Sequence, residues 1–141
     1  MFSRGAIVTR DEFQRLVSSK ILMLDGATGT ELQRRGLPQG VSPELWILDN
    51  PHVLEEVQKS YIAAGSDVIY TCTFGGNRLK LDEFGAGART TEVNRGLALA
   101  SRRAAGRNTL VAGDIGPMGA FIEPYGEMPF EKAVEIFKEQ A

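Results

Sequence analysis

The chain has 141 residues, of which 43% are hydrophobic and 24% are charged, and its formal net charge is -2. This composition is typical of an ordinary globular domain, and the absence of a basic block or of an apolar run of about 20 residues argues against nucleic-acid and membrane partners. Because the single cysteine cannot form an internal disulfide, we expect a reducing, cytoplasmic location.

The first predicted element is a short amphipathic helix. Thr9 and Glu12 have the spacing of a capping box, and Phe13 and Val17 belong to an apolar stripe at helical spacing. We therefore expect residues 1–19 to form an amino-terminal helix that covers the amino end of the following sheet.

The segment from Lys20 to Gly36 combines an apolar run with a glycine turn. The run from Ile21 to Leu24 predicts a strand buried on both faces of a parallel sheet, and Asp25 places a carboxylate at its end. Thr28 and Glu31 then have the spacing of a second capping box. A strand followed by such a turn predicts a polar pocket at the carboxyl edge, although Asp25 alone could equally be a turn former or helix cap.

The next two segments predict packing and not chemistry. Residues 37–50 form a loop whose apolar residues indicate a lid or short helical turn, in which Trp46 is expected to pack rather than to stack on a ligand. A helix then begins at Asn50 and ends at Gly65. His52 lies in its first turn, where an exposed polar role is expected.

The second predicted strand, near 67–73, runs into another glycine turn. Because side chains alternate along a strand, Thr71 and Thr73 share one face while Cys72 points to the other. The third predicted strand lies near 109–114, ends in a carboxylate and is again followed by a glycine turn. The two strands thus repeat the layout of the first.

Strands near 21–25, 67–73 and 109–114 alternate with helices, which predicts parallel pairing through right-handed crossovers. The carboxyl ends of parallel strands meet at one edge of the sheet. At this edge we expect Asp25, Thr71, Thr73 and Asp114.

The predicted fold class is α/β, with one domain over residues 1–141. Residues 20–141 would form the first three βα units of a (β/α)8 TIM-type barrel, which needs about 250 residues when complete. Because an open three-stranded sheet has two exposed edges, the barrel is expected to be incomplete in this chain. A truncated polypeptide, a second half from another chain and a symmetric assembly of part-barrels remain alternatives. An unfinished barrel favours self-association or poor solubility more than a complete one does.

Three ordered blocks of the sequence resemble the homocysteine S-methyltransferase family, particularly the homocysteine-binding module of cobalamin-dependent methionine synthases. The blocks are LDGATGTEL at 24–32, NPHVLEEVQKSYIAAGSDVIYTCTFGGNRLKL at 50–81 and GDIGPMGAFIEPYG at 113–126. A single block would be a weak signal, but their order and spacing make the resemblance specific.

The resemblance implies methyl transfer to the sulfur of homocysteine, with zinc on three cysteine thiolates lowering the pKa of the thiol. The family's zinc cysteines belong to later strands, beyond Ala141, and Cys72 stands where the family usually has asparagine. The resemblance therefore implies no metal ligand, no catalytic residue and no methyltransferase activity in this chain alone. Zinc, cobalamin as methyl carrier and a methyl-donor or cobalamin domain are expected in the full-length protein.

The resemblance also assigns roles in substrate binding. It implies that Asp25 binds the ammonium group of homocysteine, and that backbone N–H groups around Gly26 and Ala27, with Thr71, hold its carboxylate. Thr73 is included in this substrate-binding set, and Asp114 has a weaker, supporting assignment. These roles suit the residue types, since a carboxylate suits an ammonium and N–H groups at a helix start suit an anion.

Two other functions stay open. A phosphate-binding protein could use the DGATGT turn, but this turn lacks the G-x-G-x-x-G spacing and the lysine of a P-loop. A non-catalytic half-barrel that binds an amino acid would lack the zinc-binding half. The sequence does not identify the methyl donor.

Overall fold

The computed structural model describes residues 8–141, so the part of the predicted amino-terminal segment at 1–7 lies outside the described residues. Within these residues, two strands and seven α-helices follow one another, with a 3-10 turn at Gly87–Arg89. In chain order they are α1 (Arg10–Ser19), α2 (Thr28–Arg34), α3 (Pro43–Asp49), α4 (Pro51–Ala63), β1 (Val68–Tyr70), α5 (Arg78–Asp82), α6 (Thr90–Ala105), β2 (Leu110–Ala112) and α7 (Phe130–Gln140).

The sheet is parallel, as predicted from the alternation of strands and helices. Residues Val68–Tyr70 of β1 pair in register with Leu110–Ala112 of β2. On the other side of β1, Leu24 forms an isolated parallel bridge with Val68. The three extended segments therefore lie side by side in chain order, and their carboxyl ends meet at one edge. The α/β class with parallel strands is confirmed.

The prediction of a first strand buried on both faces is wrong for the described residues. Only Leu24 bridges to β1, and Ile21, Met23 and Leu24 are 87%, 59% and 49% exposed. This segment has a hydrogen-bonded neighbour on one side only, so its apolar side chains have little to pack against. An apolar sequence predicts burial, but burial requires a second surface.

The sequence predicted two capping boxes at helix starts, and the structure contains one of them. The capping box of Thr9 and Glu12 is present at the start of α1. The second predicted box is wrong, because Ala27 is the N-cap of α2 and Glu31 forms salt bridges with arginines at the end of its own helix. As predicted, α2 ends just before Gly36, whose φ of 100° lies in the left-handed region that favours glycine.

The main core lies between the helices. The α4 and α6 helices pack against each other, with α3 and α2 beside them. Trp46 is partly buried and packs against this core, as expected from its aliphatic neighbours. His52 is exposed. The core residues with essentially no exposure are Leu32, Ile47, Leu54, Val57 and Val93.

The α1 helix stands apart from this core. None of its residues is buried, and its apolar residues Phe13 and Val17 line an open groove together with Leu24 and Tyr70. Within residues 8–141, no helix is both long and apolar enough to cross a membrane.

Candidate functional site

Asp25 directly follows Leu24 and lies beside the carboxyl end of β1. Its backbone N–H donates to the Val68 carbonyl at 3.0 Å, and its Oδ2 accepts from the Tyr70 backbone N–H at 3.2 Å. The carboxylate is thereby fixed at the edge of the sheet, as the position of Asp25 in the sequence predicted.

The electrostatic environment of Asp25 is unfavourable to its charge. Burial raises the pKa of Asp25 above its ordinary 3.8, the N–H groups of Tyr70 and of Asp25 itself oppose this, and the negative charge of Asp114 adds to it. Its Oδ1 is buried and has no hydrogen-bond partner among the described residues. An ionised carboxylate with an unpartnered buried oxygen is costly, so the site favours a cationic hydrogen-bond donor.

Thr71 and Thr73 join the end of β1 to Asp114. Their hydroxyls lie 2.7 Å apart, the Thr73 hydroxyl donates to the Asp114 carbonyl at 2.7 Å, and the Asp114 N–H donates to Thr71 Oγ1 at 3.1 Å. Both threonines are buried, with 4% and 5% exposure. Both hydroxyls thus form hydrogen bonds within the protein. A direct contact of Thr71 with substrate stays a prediction.

Asp114 is brought to the same edge through its backbone. Burial raises the pKa of its carboxyl group, and the negative charge of Glu44 adds to this effect. The structure thus places Asp25, Thr71, Thr73 and Asp114 in one region, with two carboxylates that interact through their charges.

The Gly26–Ala27 turn begins α2 and is exposed. The Tyr61 hydroxyl donates to the Ala27 carbonyl at 3.0 Å, and a Cβ on Gly26 would lie 2.8 Å from the Tyr61 ring. Ala27 provides no side-chain cap to α2, so no capping side chain occupies the N–H groups of its first turn. The turn is close-packed against Tyr61 on one side and otherwise exposed.

Glu44 is a residue of this region that sequence reasoning missed. It is buried, with 7% exposure, and its Oε1 accepts from the Gly75 N–H at 2.8 Å. Its segment reads as a loop with apolar residues, and nothing local distinguishes this carboxylate from an exposed one at a helix start. The only sequence signal is the glycine pair after the second strand, which permits close approach of another chain segment.

Cys72 is placed for packing and not for reaction. It contacts the main core, and burial, followed by the charges of Glu44, Asp114 and Asp25, raises the pKa of its thiol from 9.0 to about 12. Because the thiolate is the nucleophile, the native protein should react with iodoacetamide near pH 8 roughly a thousandfold more slowly than the chain unfolded in concentrated urea. Equal rates, followed by mass spectrometry, would contradict this placement.

The described residues do not fit a zinc site. Within residues 8–141, no group of three histidine, cysteine, aspartate or glutamate side chains is arranged to hold a metal ion. Cys72 is the single cysteine of the sequence, and its side chain packs against the main core.

A parallel sheet with carboxylates and a glycine turn at its carboxyl edge places the protein in the α/β class, in which small ligands commonly bind at the strand ends. Comparison with known proteins gives the family: the model of the homocysteine S-methyltransferase family matches residues 22–141. The chain belongs to the homocysteine S-methyltransferase family.

The chain matches different fractions of two relatives. The chain is 32% identical to the homocysteine S-methyltransferase of Escherichia coli over 135 residues, which cover 84% of this chain and 43% of that protein. It is 30% identical to the methionine synthase of Mycobacterium tuberculosis over 138 residues, which cover 89% of this chain and 12% of that protein. The chain therefore spans less than half the length of either relative.

Solved structures agree with this assignment. The metallated form of the homocysteine methyltransferase MmuM from Escherichia coli superposes with a TM-score of 0.63 and 27% identity, covering 76% of this chain and 42% of that one. The oxidised form gives the same TM-score with 29% identity, covering 76% and 41%.

Proposed function

We propose that this chain is the amino-terminal part of a homocysteine S-methyltransferase and binds the amino-acid end of homocysteine. The observation that carries the proposal is the Asp25 carboxylate, which is fixed at the carboxyl edge with a buried Oδ1 that has no partner among the described residues. Family membership supplies the substrate class. We also propose that residues 20–141 are the first three βα units of a TIM-type barrel.

An ammonium group is the ligand chemistry that suits Asp25. It would supply both a positive charge and a hydrogen-bond donor to a carboxylate whose pKa is raised by burial. Hydrogen bonds between ionised groups are stronger than neutral ones, and a cation here would also offset the repulsion from Asp114. The charge of Asp25 is thus unfavourable in the empty protein and becomes favourable when the ligand binds.

The carboxylate of the substrate would bind beside the ammonium, at the Gly26–Ala27 turn. The first-turn N–H groups of α2 have no capping side chain, and such groups attract anions. Thr71 and Thr73 would support this arrangement indirectly, because their hydroxyls hydrogen-bond to the backbone of Asp114. A direct bond from Thr71 to the carboxylate would require its hydroxyl to exchange an internal partner.

The chemical step would need groups that the described residues do not provide. Zinc would activate the homocysteine thiol, and we propose that its cysteine ligands come from outside residues 8–141, since within those residues no group of three potential metal ligands is arranged to hold an ion. The 141-residue chain alone would then have no methyltransferase activity. Cobalamin as methyl carrier, a methyl-donor or cobalamin domain and a cytoplasmic location belong to the same proposal for the full-length protein.

A set of homocysteine analogues tests the proposal. L-Homocysteine should bind the polypeptide encoded by the complete gene, as followed by isothermal titration calorimetry. The analogues 4-mercaptobutyrate, which lacks the ammonium, and 3-aminopropanethiol, which lacks the carboxylate, should each bind about 10-fold or more weakly, since each loses a charge-assisted bond. Equal binding of 4-mercaptobutyrate would contradict the assignment of Asp25.

The same protein separates the enzyme from a non-catalytic scaffold. Homocysteine-dependent methyl transfer, together with bound zinc measured by mass spectrometry, is expected of the methyltransferase. Binding without either would favour the half-barrel that serves as an amino-acid-binding scaffold. Methyl transfer by the 141-residue chain alone would contradict the proposed division of the site.

A further inference from the structure

Glu44 is a buried carboxylate to which the proposed function gives no role. The Ser42 hydroxyl donates to its Oε2 at 2.8 Å, and the Gly75 N–H donates to its Oε1 at 2.8 Å. No salt bridge to Glu44 is formed among residues 8–141. Burial of an unneutralised carboxylate is costly. The bond from the Gly75 N–H joins α3 to the turn at Gly75, whereas Ser42 is the N-cap of α3 itself.

The turn at Gly75 is held from several directions. The carbonyl of Phe74 accepts from the Gly116 N–H at 3.1 Å, and the carbonyl of Gly76 accepts from Asn94 Nδ2 at 2.6 Å. A Cβ on Gly75 would lie 2.7 Å from Glu44 Oε1, so the carboxylate approaches as closely as glycine permits. Glu44 provides the contact of this turn with α3.

This turn leads directly into the candidate site. The Gly76 N–H donates to the Thr73 carbonyl at 2.8 Å, and the Thr73 hydroxyl donates to the Asp114 carbonyl. A short chain of hydrogen bonds therefore runs from Glu44 through the Gly75 turn to Thr73 and Asp114. Glu44 is also near enough for its charge to act on the carboxyl group of Asp114.

We propose that Glu44 is a positioning residue for the amino-acid site, which fixes the Gly75 turn and through it Thr73 and Asp114. The inference rests on the proposed function for the identity of the substrate. Its physical reason is that a turn released from α3 no longer holds Thr73 and Asp114 in place, so that substrate binding weakens while the reacting groups are unchanged. Glu44 itself need not touch the ligand.

Two substitutions separate position from charge. Glu44→Ala removes the acceptor for the Gly75 N–H, whereas Glu44→Gln keeps an amide oxygen that can accept the same bond. In the polypeptide encoded by the complete gene, Glu44→Ala should raise the KM for homocysteine about 10-fold and change kcat less than about 3-fold. Glu44→Gln should stay within about 3-fold of the wild type. The exposed Glu56, replaced by alanine, is the matched control and should leave both constants unchanged.

A measurement without ligand completes the test. Amide exchange at Gly75 should accelerate in Glu44→Ala and not in Glu44→Gln. If Glu44→Ala does not fold, Glu44→Asp, whose shorter side chain withdraws the acceptor from the Gly75 N–H, takes its place in the kinetic and exchange measurements.

The outcomes are distinguishable. A wild-type KM and unchanged Gly75 exchange in Glu44→Ala overturns the role of Glu44 while leaving Asp25 and the proposed function intact. A wild-type protein that does not bind homocysteine overturns the proposed function and this role together. A KM rise in Glu44→Ala that Glu44→Gln abolishes supports the proposal.

Discussion

Asp25→Asn should weaken homocysteine binding while it stabilises the ligand-free protein. The substitution removes the negative charge that would pair with the ammonium group, and the loss of a charge-assisted hydrogen bond costs about 1.5–3 kcal/mol, or about 10- to 100-fold in Kd. The amide oxygen of asparagine can still accept from the Tyr70 N–H, so the edge of the sheet keeps its geometry. Calorimetry with L-homocysteine gives the affinity.

The stability effect has a defined sign. Burial raises the pKa of Asp25 above 3.8 in the folded protein, so folding favours the protonated carboxyl group. The ionised form lowers the free energy of unfolding, and this loss develops as pH rises from the unfolded pKa through the folded pKa. Asp25→Asn should therefore raise Tm near neutral pH and have little effect near pH 3, as thermal denaturation at several pH values would show.

The exposed Asp49 provides the matched control. Asp49→Asn removes the same charge from the surface and should change neither Kd nor Tm at neutral pH appreciably. A lower Tm for Asp25→Asn at neutral pH, or an unchanged Kd, would show that Asp25 is a structural residue and that the ammonium lies elsewhere.

Gly26→Ala should disrupt both the turn and the binding of homocysteine. The added Cβ would lie 2.8 Å from Cε1 and 2.9 Å from the hydroxyl oxygen of Tyr61. The ring must then move, and its hydrogen bond to the Ala27 carbonyl must lengthen or break. We expect a loss of about 1–3 kcal/mol in the free energy of unfolding and at least about a 10-fold rise in Kd, since the displaced turn carries the N–H groups proposed for the substrate carboxylate.

Gly29 lies three positions further along and gives the opposite expectation. It is inside α2, and a Cβ there would meet nothing within 4 Å. Gly29→Ala should therefore stabilise the protein by roughly 0.5–1 kcal/mol, because alanine loses less backbone entropy in a helix. Urea denaturation of the two variants compares the same chemical change with and without a clash. Equal stabilities would contradict the close packing of Gly26 against Tyr61.

Much of the fold followed from patterns that lie within short stretches of the chain. The apolar stripes and the capping box at Thr9 predicted helices because their residues interact across one or two turns. The alternation of strands and helices predicted parallel pairing, which the register of β1 with β2 shows. Parallel pairing then placed the polar residues after the strands at one edge.

The sequence by itself therefore determined the fold class, the family and the region in which the candidate site lies. The tertiary structure alone decided how each polar group is satisfied, because the partners are distant in sequence. The Asp25 carboxylate meets the N–H of Tyr70 across 45 positions, and Glu44 meets Gly75 across 31. Burial and hydrogen-bond partners at such separations depend on packing and not on local pattern, so the exposure of the first segment and the burial of Glu44 against Gly75 were visible only in three dimensions.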